Sequence, residues 1–149
     1  MNSCKFDAEE NDNNMKIKEI EASETWQIRH EVMWPDQPFE FVKLEEDKEG
    51  LHFGCFAEKK LVSIISCFII GDEMQFRKLA TLNEYQGKGI ASELLKYVFN
   101  LAKEKGLKKI WCNARTEKKA FYEKFGMKDT DKNFIKAGQE FTIMEVLWE

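Results

Sequence analysis

Residues Met74 to Ala91 read MQFRKLATL, then NEY, then QGKGIA, and this stretch decides how the chain is understood. Met74 to Leu82 has the composition of a β-strand, Asn83 to Tyr85 that of a turn, and Gln86 to Ala91 opens a long helix. Gly87 and Gly89 allow the backbone to turn sharply and to come close to a ligand. The N–H groups that open a helix have no intrahelical acceptor and sit at the positive end of its dipole. A strand, a glycine turn and a helix start in succession therefore suit an anion such as a phosphate, and Gln86 and Lys88 can add side-chain donors.

The helix that follows has the clearest apolar periodicity in the chain. From Gly89 to Lys105, Ile90, Leu94, Val98 and Leu101 line one side with Ala91, Leu95 and Ala102 beside them. Gly106 suits a left-handed C-terminal cap, and Lys103 and Lys105 complement the dipole in the last turn. Upstream, Met15 to Ile20 reads as a strand, Ser23 to Met33 as a helix stopped by Pro35, and Pro35 to Glu49 as an irregular acidic segment. Leu51 to Glu58 and Leu61 to Ile70 read as strands with Lys59-Lys60 between them, and Gly71-Asp72 is the next turn. Downstream come a strand over Leu107 to Asn113, a helix over Glu117 to Phe125 ending at Gly126, and a closing strand over Phe141 to Trp148. The alternation predicts a mixed α/β domain built around one sheet.

With 149 residues, 43% hydrophobic and 34% charged, the composition is that of a soluble globular chain. A domain of this size buries roughly 70% of the surface its unfolded chain exposes, so it needs no metal or disulfide to fold. The longest apolar run, Leu61 to Ile70, is broken by Ser63 and Ser66 and falls short of the ~20 residues a membrane helix requires. Residues 1–14 lack an apolar targeting core and read as a flexible acidic leader, which leaves the domain to residues 15–149. Cys4, Cys55, Cys67 and Cys112 form no CxxC pair. The last three lie in apolar runs as small buried hydrophobes, which together with the missing signal points to a reducing cytoplasm.

The net charge of −4 conceals an asymmetry. Between Gln86 and Lys128 eleven basic residues face four acidic ones, a surplus of seven, so the rest of the chain carries −11. An acidic total argues against general nucleic-acid binding, which depends on a basic surface. A local basic segment suits one compact anionic ligand.

Other phosphate motifs fit poorly. A Walker loop needs Ser or Thr after its GK, but Gly89 follows Lys88; a dinucleotide fingerprint wants Gly or Ala where Ser92 stands. A second motif, Phe121 to Met127 (FYEKFGM), follows the strand ending Trp111-Cys112-Asn113-Ala114-Arg115. With Leu79-Ala80-Thr81 and Gln86 to Ala91, it makes the chain resemble the GNAT superfamily of acyl-CoA-dependent N-acyltransferases. There, an LAV-like strand leads into a Q/R-x-x-G-x-G/A loop and a later helix bears FYEK-x-G-F.

The resemblance implies a GNAT-like domain with a mixed, mostly antiparallel sheet of about six or seven strands flanked by helices. It implies that Gln86, Gly87, Lys88, Gly89, Ile90 and Ala91 hold the pyrophosphate of acetyl-CoA. Leu79, Ala80 and Thr81 would pair with the pantetheine arm, and Lys124 would join in cofactor binding. Tyr122 would protonate the departing thiolate, a transfer close to balanced for a phenol of pKa ~10. Many relatives carry Asn where this chain has Arg115, so Asn113 is the alternative contact to the CoA arm. Asn83 replaces a frequent Pro, and Ala91 a frequent Gly. No metal is implied.

The acceptor would be an amine, a small molecule in preference to a protein, bound by Arg29, Trp34, Phe39, Phe41 and Phe141. An acidic rim of Asp36, Glu40, Glu45, Glu46, Asp47 and Glu49 would attract a cation. Glu73 and Glu31 are weak candidates for a general base, while His30 and His52 read as structural. The resemblance also admits a homodimer. A non-catalytic CoA-binding or regulatory module is the rival reading, and a nucleotide-binding regulator a third.

Overall fold

A computed structural model describes residues 15–148. The expected leader, and with it Cys4, lies outside the described residues. Seven strands are hydrogen-bonded in the order β1-β2-β3-β4-β5-β7-β6. They are β1 (Met15–Ile20), β2 (Leu51–Ala57), β3 (Lys60–Ile70), β4 (Glu73–Thr81), β5 (Lys109–Arg115), β6 (Lys128–Lys136) and β7 (Gln139–Leu147). The helices are α1 (Ala22–Ile28), α2 (Ile90–Glu104) and α3 (Lys119–Glu123). The pairings β1 with β2, β2 with β3, β5 with β7 and β6 with β7 are antiparallel, whereas β4 and β5 run parallel. The described chain forms two compact units, residues 15–68 with 78–98, and residues 69–77 with 99–148. Strand β4 and helix α2 each contribute to both.

In the first unit, β3 reads as a nearly continuous apolar run because residues 62–68 are all buried, as in a strand covered on both faces. Its two serines are satisfied internally. Ser63 Oγ donates to the Ala80 carbonyl at 3.0 Å and shares a 2.7 Å hydrogen bond with Thr81 Oγ1. Ser66 enters a polar cluster described below. The β2–β3 hairpin turns at Glu58-Lys59, one position before the expected Lys59-Lys60. Both turn residues have positive φ (48° and 73°), the geometry that matches the twist of a tight hairpin. Ile17, Phe53, Ile64, Ile65, Leu94, Leu95 and Val98 are buried in this unit's core.

The expected helix over residues 23–33 is α-helical only to Ile28. It finishes as a π turn over Arg29–Met33, where the Trp34 N–H reaches both Arg29 O (3.2 Å) and His30 O (3.3 Å).

In the second unit, Met74, Ile110, Cys112, Ala114 and Met144 are buried, and Phe99 packs edge-on to Trp148 and against Phe125. Strand β6 has no counterpart in the sequence reading. Its residues, KDTDKNFIK, offer no alternating apolar face, and its register with β7 is interrupted between Asp129 and Asn133, with Asp131 at φ 64°. Among the described residues, no helix is long and apolar enough to cross a membrane.

Candidate active site

The glycine turn lies in the first unit. Gly87 and Gly89 take φ of 79° and 82°, and a Cβ built on either would meet nothing within 4 Å. Conformation, not crowding, is what calls for glycine here. The backbone amides of residues 89–92 have no acceptor among the described residues, and the first amide of α2 with an acceptor is that of Glu93, bonded to Gly89 O at 3.1 Å. Four consecutive N–H groups are thus left at the positive end of a fifteen-residue helix. Lys88 is exposed beside them, Ile90 is buried and Ala91 half-buried.

Gln86 departs from expectation. Its amide nitrogen donates to Thr81 O (2.9 Å) and Asn83 Oδ1 (3.1 Å), so the side chain closes the turn instead of reaching out to an anion. Asn83, standing where Pro is common, supplies one of those acceptors.

The alternation of strand β4 breaks at Lys78. Met74 and Phe76 are buried in alternation, but Lys78 takes φ 60° and the adjacent Ala80 and Thr81 are then both buried. Leu79 is half-buried between these positions. A non-glycine residue in the left-handed region costs ~1 kcal/mol or more and marks a site where local geometry is over-determined.

Tyr122 lies in the second unit. The parallel register covers Glu73, Met74 and Gln75 against Lys109, Ile110 and Trp111, and both strands then continue beyond it, β4 to Thr81 and β5 to Arg115. Tyr122 packs against Phe76, with ring centroids 5.8 Å apart, and makes a T-shaped contact with Phe121 at 5.1 Å. Burial pushes its phenol well above the ordinary value, Cys112 adds to the shift and the Arg115 cation opposes it. The balanced transfer expected of a phenol near 10 is therefore corrected: this hydroxyl is a weaker acid that stays protonated well into alkaline solution.

Asn113 is exposed, Arg115 half-buried, and Lys124 exposed just past α3. Cys112 is buried and its thiol is pushed up to about 12 by desolvation. Neither candidate for a general base has catalytic surroundings. Glu73 lies 4.0 Å from Lys109 Nζ in a partly exposed pair, and Glu31 is exposed.

The acidic segment holds the largest departure. Asp47 is no member of a solvated rim, and Arg29 is no pocket residue. Both are buried, and they form a bidentate pair, Arg29 Nη1 to Asp47 Oδ2 at 2.8 Å and Nη2 to Oδ1 at 2.9 Å. Asp47 also accepts from Trp26 Nε1 and from the Leu44 N–H, both at 3.0 Å. Arg29 further donates to Val42 O and to Ser66 Oγ, each at 2.9 Å.

His52 completes this cluster. Its Nε2 lies 2.8 Å from the Asp47 carbonyl and must donate there, so Nδ1 accepts from Ser66 Oγ at 2.7 Å. His30 Nε2 likewise donates to Gln37 O at 2.7 Å, in keeping with the structural reading of both histidines. Of the remaining expected pocket residues, Phe39 and Phe41 are exposed, Trp34 meets Phe41 edge-on at 5.1 Å, and Phe141 stacks on Phe134 at 5.2 Å.

The family described as "Acetyltransferase (GNAT) domain" matches residues 12–148, and the chain belongs to this family of acetyltransferases. It is 33% identical over 129 residues to the uncharacterised N-acetyltransferase YitI of Bacillus subtilis, covering 80% of this chain and 87% of that protein. It is 31% identical over 124 residues to the [ribosomal protein bS18]-alanine N-acetyltransferase of Haemophilus influenzae, covering 77% and 82%. A GNAT family acetyltransferase from Elizabethkingia anophelis, solved with acetyl-CoA bound, has the same fold. It aligns with a TM-score of 0.72 at 17% identity, over 92% of this chain and 99% of that one.

Proposed function

We propose that this N-acetyltransferase moves the acetyl group of acetyl-CoA to the amine of a small molecule by direct transfer. The observation that carries the reading is the run of amides from Gly89 to Ser92 with no acceptor among the described residues, at the start of α2. Such a run suits the pyrophosphate of CoA, with Lys88 adding charge. Leu79, Ala80 and Thr81 of β4 are assigned to the pantetheine arm, and Asn113 and Lys124 to further contacts with CoA.

In the reaction, the neutral amine attacks the thioester carbonyl and the C–S bond breaks. Tyr122 gives its proton to the departing CoA sulfur, the proton lost by the amine passes to water, and water returns a proton to the phenolate. Strand N–H groups near Thr81 would stabilise the oxyanion.

A cationic acceptor fits the surface around Phe39 and Phe41, where Asp36, Glu40, Glu45, Glu46 and Glu49 are exposed. Trp34 Nε1 is buried there without an acceptor among the described residues. The second reading, an α-amine at a protein N-terminus, is favoured by the bS18-alanine acetyltransferase among the relatives. Incubation with acetyl-CoA against a panel of small amines and an alanine-initiated peptide separates the two. Acetylation of the peptide alone would replace the small-molecule reading.

A further inference from the structure

Helix α3, which carries Tyr122, has only five residues and no side-chain N-cap. A helix this short does not hold itself together in water, so its position depends on what grips its two ends. The C-terminal end is gripped by apolar packing. Phe125 sits 5.3 Å from Phe121 and 6.1 Å from Phe99, and the Met127 N–H returns to Tyr122 O.

The N-terminal end is gripped by one carboxylate. Lys119, the first residue of α3, donates to Asp129 Oδ2 at 3.1 Å. The other oxygen, Asp129 Oδ1, accepts from the Asp131 N–H at 2.8 Å and from Thr142 Oγ1 at 2.5 Å. Thr142 is buried in β7, and Asp129 stands where the β6–β7 register breaks. Hydrogen bonds from Thr142, the Asp131 N–H and Lys119 hold the Asp129 carboxyl down at about 2, so it is charged at every working pH. The bulge that hides β6 from the sequence is thus internally ordered. Thr130 Oγ1 donates to Ile143 O at 2.8 Å, and the Lys132 N–H to Thr130 Oγ1 at 3.3 Å.

We propose that Asp129 is a positioning residue for the transfer step, anchoring Lys119 to β7 and so fixing the short helix that presents Tyr122. The inference rests on the reading of Tyr122 as the proton donor. Asp129 takes no proton and touches no substrate.

The test is a double-mutant cycle on the full chain with acetyl-CoA and an accepted amine. Lys119→Met is the working variant, because Lys119 is partly exposed and its loss leaves the Asp129–Thr142 bond intact. It should lower kcat about three- to tenfold, as small misplacements of a catalytic group do, with KM for both substrates and the melting temperature little changed. Lys119→Arg should keep kcat near wild type. In a Tyr122→Phe background, Lys119→Met should lower kcat no further, because the group it positions is gone. Equal losses in both backgrounds, or no loss in the wild type, would overturn the role of Asp129 while leaving Tyr122 in place. An unchanged kcat for Tyr122→Phe itself would overturn both.

Discussion

The ring of Phe76, buried in β4, lies 5.8 Å from the ring of Tyr122, inclined at 45°. Burial of Tyr122 raises its pKa, so the hydroxyl remains a proton donor where a free phenol would ionise. Replacing Tyr122 by Phe keeps this packing and removes only the hydroxyl. Turnover should fall about 100-fold or more, within the usual contribution of a general acid, while the affinity for CoA stays near wild type. Steady-state kinetics with calorimetric titration of CoA measures both.

The same burial fixes the sign of a pH effect. A phenol at its ordinary value would lose its proton near pH 10, and activity would fall there. With the Tyr122 pKa raised, the kcat profile should show no descending limb from this residue up to about pH 10. A pH series with a stable amine checks it.

Gly89 at φ 82° tests the turn. Gly89→Val places a β-branched side chain in the left-handed region, at a cost of about 1–2 kcal/mol in stability. Since its Cβ meets no atom within 4 Å, that cost is conformational. CoA affinity should fall about tenfold or more as the amides of the turn move out of line. Denaturant titration and calorimetry separate the two effects.

The Arg29–Asp47 pair makes acid stability predictable. Burial alone would raise the Asp47 carboxyl, but hydrogen bonds from Arg29, the Leu44 N–H and Trp26 outweigh it and hold it below its ordinary value. A carboxyl depressed in the folded state contributes stability above its unfolded pKa near 3.9, and that contribution is lost as pH falls through the folded value. Asp47→Asn leaves Arg29 buried without its counter-charge and should cost about 3–5 kcal/mol at pH 7. The gap from wild type should narrow below about pH 4 in urea unfolding curves.

Burial raises the thiols of Cys55 to about 11 and Cys112 to about 12, and that of Cys67 higher still. In a Cys4→Ser background the native protein should therefore show no fast thiol titre at pH 8. The three thiols should appear on unfolding.

What the sequence discloses and what it withholds have physical causes. Gly87, Gly89 and the apolar side of α2 are local signals, and they locate the turn and the helix together. The burial of Cys55, Cys67 and Cys112 follows from their apolar strands. The pairing of Arg29 with Asp47 is a contact between residues eighteen apart, and a charge run such as EEDKE does not tell which of its members turns inward. The left-handed backbone at Lys78 falls on no glycine or asparagine that would announce it. Strand β6 is hidden because it takes its order from the Asp129 and Thr130 hydrogen bonds, not from an apolar face; Ile135 is 76% exposed.

Acetyl transfer to an amine should occur on this chain through Tyr122. The most direct measurement is release of free CoA thiol from acetyl-CoA, with and without an amine panel, for wild type and Tyr122→Phe. Release should be amine-dependent, matched mole for mole by acetylated product and strongly reduced in Tyr122→Phe. Binding of acetyl-CoA with no amine-dependent release for any acceptor would contradict it and favour a CoA-binding module.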